Sequence, residues 1–224
     1  MSSGPVLLLT RPSPQSEQFL HLCETRVGRK LPAVISPVLK IEAKGANWDL
    51  DAATIVVTSG NAVHVLRKHL PARQVATVGE ATAALARSFG ADATCLGENA
   101  EALLDRAKEL VPPVVLARGV HARMDLAKEL RARGVEARAV TVYDQVAMPL
   151  SAEAKQLLSG AQPIVAPVFS PRSAGLLAAH PINAPLTVLA ISEAVRDAWT
   201  RPGDVSIAKR PTAEAMCDLV AELL

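Results

Sequence analysis

The residues of this chain that could do chemistry cluster where short apolar runs give way to helical patterns. Thr10-Arg11-Pro12-Ser13, Thr58-Ser59-Gly60-Asn61, Gly79-Glu80-Ala81-Thr82, Arg118-Gly119, Phe169-Ser170-Pro171-Arg172-Ser173 and Ile191-Ser192 all combine hydroxyls, small residues and arginine. At a strand-to-helix junction such residues offer unpaired backbone N–H groups, hydroxyl donors and a partial positive charge, which suit a carboxylate or phosphate. A serine or threonine that merely caps its own helix explains any single junction as well; the functional reading rests on their number. The chain's one tyrosine, Tyr143, ends an apolar run at 135–142. A phenol can donate a proton or a hydrogen bond without being ionised, and the competing reading is a ring that fills a hinge.

Other chemistries lack their residues. There is no Gly-x-Gly-x-x-Gly after a strand, no Walker-type phosphate loop and no Gly-x-Ser-x-Gly elbow. His64 and His69 are five apart, roughly 140° around a helix, which does not suit a shared metal. Cys23, Cys95 and Cys217 are too scattered for a zinc site or a disulfide framework and read as buried thiols of a reducing compartment.

The elements that must carry these junctions are legible as alternation. Candidate strands fall at 5–10, 34–41, 54–58, 74–78, 93–96, 113–117, 135–142, 164–169, 186–191 and 204–208, with helical spacing between most of them. Such alternation predicts an α/β fold of parallel sheets with helices on both faces. Ser13-Pro14 and Ser170-Pro171 read as N-caps followed by proline, and Asn99 and Thr212 as plain N-caps.

The chain also resembles itself. Val75–Ala81 matches Val188–Ala194, Gly90 matches Gly203, and Asn99–Ala102 matches Thr212–Ala215; 193 − 80, 203 − 90 and 214 − 101 all equal 113. Duplication of an α/β domain follows. Leu7–Arg11 resembles Val115–Arg118, so the first βα unit is expected to complete the C-terminal half. The expected domains are residues 1–36 with 149–224, and an inserted domain at 42–142. Linkers near 36–42 and 142–149 would form a two-strand connection.

With 24 Lys+Arg against 22 Asp+Glu, the net charge is 24 − 22 = +2, and aromatic residues make up 3%. That balance excludes a dedicated nucleic-acid binder with a basic stripe or stacking platform. The uncharged stretch from Ser173 to Ser192 is broken by Pro181 and Pro185, so no membrane span is expected. With no basic leader at the start, the expected location is cytoplasmic.

The ordered series Leu9-Thr10-Arg11-Pro12, Thr58-Ser59 with Asn61-Ala62-Val63, Val78–Ala83, Arg118, Gly134-Val135, Val140–Tyr143, Phe169-Ser170-Pro171, Ile191-Ser192 and Pro211-Thr212 resembles the uroporphyrinogen-III synthases. Gly60 and Asn61 depart from the proline-containing variant often found after the first hydroxyl pair. The resemblance implies two α/β domains, the first discontinuous, with the site in the cleft. It implies cyclisation of the linear tetrapyrrole hydroxymethylbilane to uroporphyrinogen III, with loss of water and inversion of ring D through a spiro intermediate. That step serves the haem, sirohaem, cobalamin and chlorophyll pathways. No cofactor or metal is implied, since the pyrroles supply their own electrons. Tyr143 becomes the candidate general acid. Arg11, Thr58, Ser59, Gly60, Asn61, Gly79, Thr82, Arg118, Ser170, Arg172, Ser173 and Ser192 become the candidate substrate-binding residues. A monomer, with transient contact to the preceding pathway enzyme, completes the expectation. The alternative from another class is a non-catalytic two-domain binding or sensor module for an anionic small molecule, closing by hinge motion.

Overall fold

A computed structural model describes residues 4–122 and 124–224. The chain opens with β1 (Val6–Leu9), α1 (Ser13–Val27) and β2 (Ala33–Ile35), then β3 (Leu39–Ala43). Next come β4 (Thr54–Val57), α2 (Gly60–Leu66), β5 (Gln74–Thr77), α3 (Glu80–Ser88), β6 (Asp92–Cys95) and α4 (Ala100–Asp105). They are followed by β7 (Val114–Gly119), α5 (Leu126–Ala132) and the long β8 (Ala137–Ala147). The chain ends with α6 (Ala152–Ser159), β9 (Ile164–Val168), α7 (Pro171–Ala178), β10 (Leu186–Ala190), α8 (Glu193–Asp197), β11 (Val205–Ile207) and α9 (Ala213–Leu223).

Two compact units result: Met1–Lys40 with Val146–Leu224, and Ile41–Gln145. The chain passes between them twice, within β3 and within β8, which are neighbours in one sheet.

The first unit has strand order β11-β10-β9-β1-β2, parallel at each pairing. Strands of a parallel sheet are buried on both faces, which is why β1 is simply Val-Leu-Leu-Leu with all four residues buried. Alternate residues go to opposite faces. Leu8, Ala166 and Val168 pack with Leu158 of α6 and Leu177 of α7. Leu7, Leu9 and Leu189 pack with Phe19 of α1 and Met216 of α9.

The second unit has the order β3-β8-β7-β4-β5-β6, and β8-β7-β4-β5-β6 runs parallel. Ile55 and Val57 face Val63 and Leu66 of α2, while Val56 and Leu116 face Leu103 of α4 and Leu130 of α5. Both units therefore have the α/β architecture with helices on both faces that the alternation predicts. Among the described residues no helix is long and apolar enough to cross a membrane.

The internal likeness is also structural. Glu80 and Glu193 open α3 and α8, Asp92 and Val205 open β6 and β11, and Ala100 and Ala213 open α4 and α9. Those separations, 193 − 80, 205 − 92 and 213 − 100, are each 113.

Two local expectations need correction. The run 34–41 is not one strand: β2 belongs to the first sheet and β3 to the second. Pro37 between them has no N–H to donate to a ladder. The flanking N–H groups of Ser36 and Val38 donate instead to the carbonyls of Leu9 and Thr10, where the first sheet ends. Ser13 is not the cap of α1. Pro12 holds that position, its carbonyl accepting from the N–H groups of Gln15 and Ser16, and Ser13 begins the helix proper. Ser170, Asn99 and Thr212 do cap α7, α4 and α9, each oxygen accepting from a backbone N–H three residues on.

Candidate functional site

In each sheet the strand order reverses direction at one place, between β1 and β9 in the first unit and between β7 and β4 in the second. Open parallel sheets bind ligands beyond the carboxyl ends of the strands at such a switch point. Ladder register shows what stands there. Leu7 pairs with Val165, and Ala166, the next residue, pairs with Val188. Val114 pairs with Thr54, and Ile55, the next residue, pairs with Val75. Val75 and Val188 are the repeat partners, so Leu7 and Val114 are equivalent, and four residues on so are Arg11 and Arg118. One strand beside each switch point thus carries an arginine at its carboxyl end: Arg118 is the penultimate residue of β7, and Arg11 lies two residues beyond β1.

In the first unit the guanidinium carbon of Arg11 lies 4.1 Å from the centre of the Phe169 ring. The ring face attracts the cation, and burial pulls the pKa of Arg11 below its ordinary value. Thr10, 1% exposed, holds a buried Oγ1 that meets no hydrogen-bond partner among the described residues. Ser170 and Ser173 face one another with Oγ atoms 2.8 Å apart, and the Ser173 N–H donates to Ser170 Oγ at 3.1 Å. These two hydroxyls are mainly occupied in starting α7. Ser192 differs: it has the extended backbone of an N-cap, yet its side chain makes no cap bond. Arg172, in the first turn of α7, is half-buried.

In the second unit Ser59 caps α2, its Oγ accepting from the Asn61 N–H at 3.2 Å. A Cβ on Gly60 would come within 3.3 Å of Leu85 on α3, so the small residue there serves helix packing. Gly79 starts α3 with φ +76°, a left-handed conformation that glycine adopts without strain. Its carbonyl accepts from the Thr82 N–H. Thr77, just upstream and completely buried, has an Oγ1 with no hydrogen-bond partner among the described residues; neither its type nor its spacing marks it in the sequence.

Tyr143 is not at the end of its strand; β8 continues to Ala147. Between Arg118 and Gly119 the β7–β8 register slips, so that Arg118 faces Thr141 while Gly119 faces Tyr143. Such a bulge re-aims the side chains around it. The phenol ring, 7% exposed, lies in the space that Gly119 leaves: a Cβ there would be 2.6 Å from Tyr143 Cζ.

Thr58, Arg118, Gly119 and Tyr143 share the wall of a cavity of about 290 Å³. The Nε of Arg118 is buried without a hydrogen-bond partner among the described residues. Ser59, Gly60, Asn61, Gly79 and Thr82 are not in this wall, so of the second unit's expected site residues only Thr58, Arg118 and Tyr143 meet there. The cavity adds His121, an exposed side chain at its wall. His121 Nε2 lies 3.4 Å from Asp144 Oδ1, and that oxygen accepts from the Gln145 N–H at 2.7 Å. The only hint in sequence was an imidazole three residues beyond a strand-terminal arginine.

A larger hollow of about 710 Å³ lies at the amino ends of β1 and β2. Among the described residues that line it, Glu153 is the one ionisable group, and a carboxylate does not suit an anion. Among the described residues no group of three or more His, Cys, Asp or Glu side chains could hold a metal ion.

Residues 28–218 match the sequence profile of the family described as uroporphyrinogen-III synthase HemD. Comparison with curated proteins gives no match. Among solved structures, the fold is similar to the uroporphyrinogen-III synthetase of Helicobacter pylori, with TM-score 0.69 and 15% identity over 99% of this chain and 100% of that one. It is also similar to a mutant uroporphyrinogen III synthase of the extremely thermophilic bacterium Thermus thermophilus, with TM-score 0.54 and 15% identity over 97% and 98%. At that identity the structural likeness shows the fold.

Proposed function

The chain belongs to the uroporphyrinogen-III synthase family of tetrapyrrole biosynthesis, and on that premise we propose that it converts hydroxymethylbilane to uroporphyrinogen III with inversion of ring D. The observation that carries the reading is the pair of register-equivalent arginines, Arg11 and Arg118, each at the carboxyl end of a strand beside its sheet's switch point. A bilane bordered by acetate and propionate arms asks for local cations and oriented N–H groups, which the carboxyl ends of both sheets supply.

Ring A first loses its hydroxyl, which leaves as water after taking a proton, to give an azafulvene-type electrophile. Ring D attacks it through its substituted carbon and forms the spiro intermediate. The bond from that carbon to the neighbouring bridge then breaks, and the bridge recloses on the free carbon of ring D. That carbon finally loses its proton, so one proton is taken up and one released, and water is the only by-product. The bilane can also close without inversion, so the protein's task is chiefly to hold ring D in the pose that favours the crowded attack. In this reading Tyr143 donates toward the departing hydroxyl, worth ~10²-fold or more. Arg11, Arg118, Arg172, the hydroxyls of Thr58, Ser59, Ser170, Ser173 and Ser192, and the N–H groups around Gly60, Asn61, Gly79 and Thr82 receive the acid arms. A cytoplasmic monomer that takes the labile bilane by transient contact from the preceding enzyme fits the same chemistry.

The test is to supply hydroxymethylbilane and separate the product isomers by chromatography. The type III isomer in excess over the uncatalysed background is expected. Type I alone overturns the reading, and tight binding of the bilane without turnover would favour the binding module instead.

A further inference from the structure

The cavity of the second unit holds about 290 Å³, at the lower end of the ~300–1,000 Å³ usual for small-molecule sites. That is room for one substituted pyrrole, far less than four. Its wall divides by chemistry. Leu116, Met124 and Leu126 offer apolar surface to a flat ring, while Thr58, Arg118 and His121 offer donors to an acid arm.

Resting on the bilane reading above, we infer that this cavity is a subsite for one carboxylated pyrrole ring, in which His121 stands beside Arg118 as a second cation for its acid arm and Asp144 orients the imidazole. Two observations and one chemical property of the imidazole converge. Asp144 is fixed by the Gln145 N–H on the oxygen that faces His121 Nε2, so the carboxylate has a set position. His121 Nε2 stands 3.4 Å from that oxygen, and in the protonated form the imidazole has a second N–H to offer a substrate carboxylate. Arg118 lines the same cavity, and a guanidinium is the side chain best suited to a charge-assisted pair with a carboxylate. A single arginine would bind the arm as well in many orientations; a second group three residues on, held from β8 by Asp144, narrows them to one.

The experiment titrates the intact protein with a monopyrrole carrying one acetate and one propionate arm, and with its dimethyl ester, followed by amide NMR shifts. The free acid is expected to perturb Gly119–Ala122 and Tyr143–Asp144, and the ester to bind at least tenfold more weakly. His121→Gln should weaken the acid about tenfold and raise the KM for hydroxymethylbilane by a similar factor. Its kcat and isomer ratio should stay within twofold. His121→Lys, which restores a cation, should recover most of the affinity. Thermal melts and amide spectra of each variant establish that the fold is retained. Wild-type affinity in His121→Gln, equal binding of the ester, or shifts confined to the first unit would each overturn the proposal. None of these outcomes depends on cyclisation, so failure here is distinct from failure to make the type III isomer.

Discussion

A single missing methyl group places the phenol of Tyr143. Gly119 leaves the space that the ring fills, so Gly119→Ala must move either the ring or the β7–β8 bulge. Overpacking of this kind costs about 1–3 kcal/mol. Its stability loss should exceed that of Tyr143→Phe, yet both variants should lose roughly 10²-fold in kcat with smaller changes in product affinity. Because Tyr143 is the only tyrosine, its phenol absorption reports the displacement directly. Full activity in Gly119→Ala would remove the tyrosine from the chemistry. Arg11 obeys the opposite logic. Burial lowers its pKa, so folding disfavours the charged form, and this cost is present at every pH below the lowered pKa. Relief comes only as pH rises through that value. Attraction to Phe169 offsets part of the cost, by about 1–2 kcal/mol. Arg11→Met should therefore melt no lower than the wild type while raising the KM for the bilane several-fold. A lower melting temperature with unchanged KM would make Arg11 a structural residue.

At the scale of elements, the hydroxyls that begin the helices divide into two kinds. Ser170 and Thr212 make cap bonds, so replacing either by alanine should cost ~1 kcal/mol. Ser192 makes none, so Ser192→Ala should leave stability within about 0.5 kcal/mol, and its effect should fall on the KM. Chemical denaturation beside steady-state kinetics separates the two, and a destabilised Ser192→Ala with normal KM would end its candidacy. The same distinction explains what was legible in sequence. Contiguous apolar runs such as 54–58 and 164–169 announce fully buried strands, and the repeat spacing announces where helices restart after β5 and β10. The run 34–41 misleads because its two ends are apolar for different sheets, and apolar character does not say which sheet a residue joins. The position of Tyr143 depends on a bulge, a property of two strands together that neither segment encodes alone. His121 and Asp144 were missed for a like reason: 23 residues separate them in the chain, and the β7–β8 pairing brings them together.

Across the whole molecule, duplication supplies two sheets with an arginine at the same register, but only one copy carries the site's phenol. β8 runs on past its pairing with Gly119, while β2, its counterpart beside β1, stops at Ile35 before Ser36-Pro37. The two units are therefore expected to differ in independence as well as in chemistry. Both hydrophobic clusters of the second unit draw their buried residues from Ile41–Gln145 alone, a continuous segment long enough to bury a core. That segment, expressed by itself, should melt cooperatively and still bind a monopyrrole diacid, since Arg118, His121, Tyr143 and Asp144 all lie within it. The first unit is discontinuous, but its broken ends meet: the Met148 N–H donates to the Val38 carbonyl at 2.8 Å. Replacing residues 41–145 with a short glycine-serine linker should thus also give a folded protein, because closing so small a gap adds little entropy cost. Under the proposal that Arg11 and Arg118 receive acid arms of the same bilane, mixing the two separate units should not restore type III synthesis, because the covalent link that sets their effective concentration is gone. Type III product from the second unit alone would show that one arginine and the phenol suffice, and would reduce the first sheet to a scaffold.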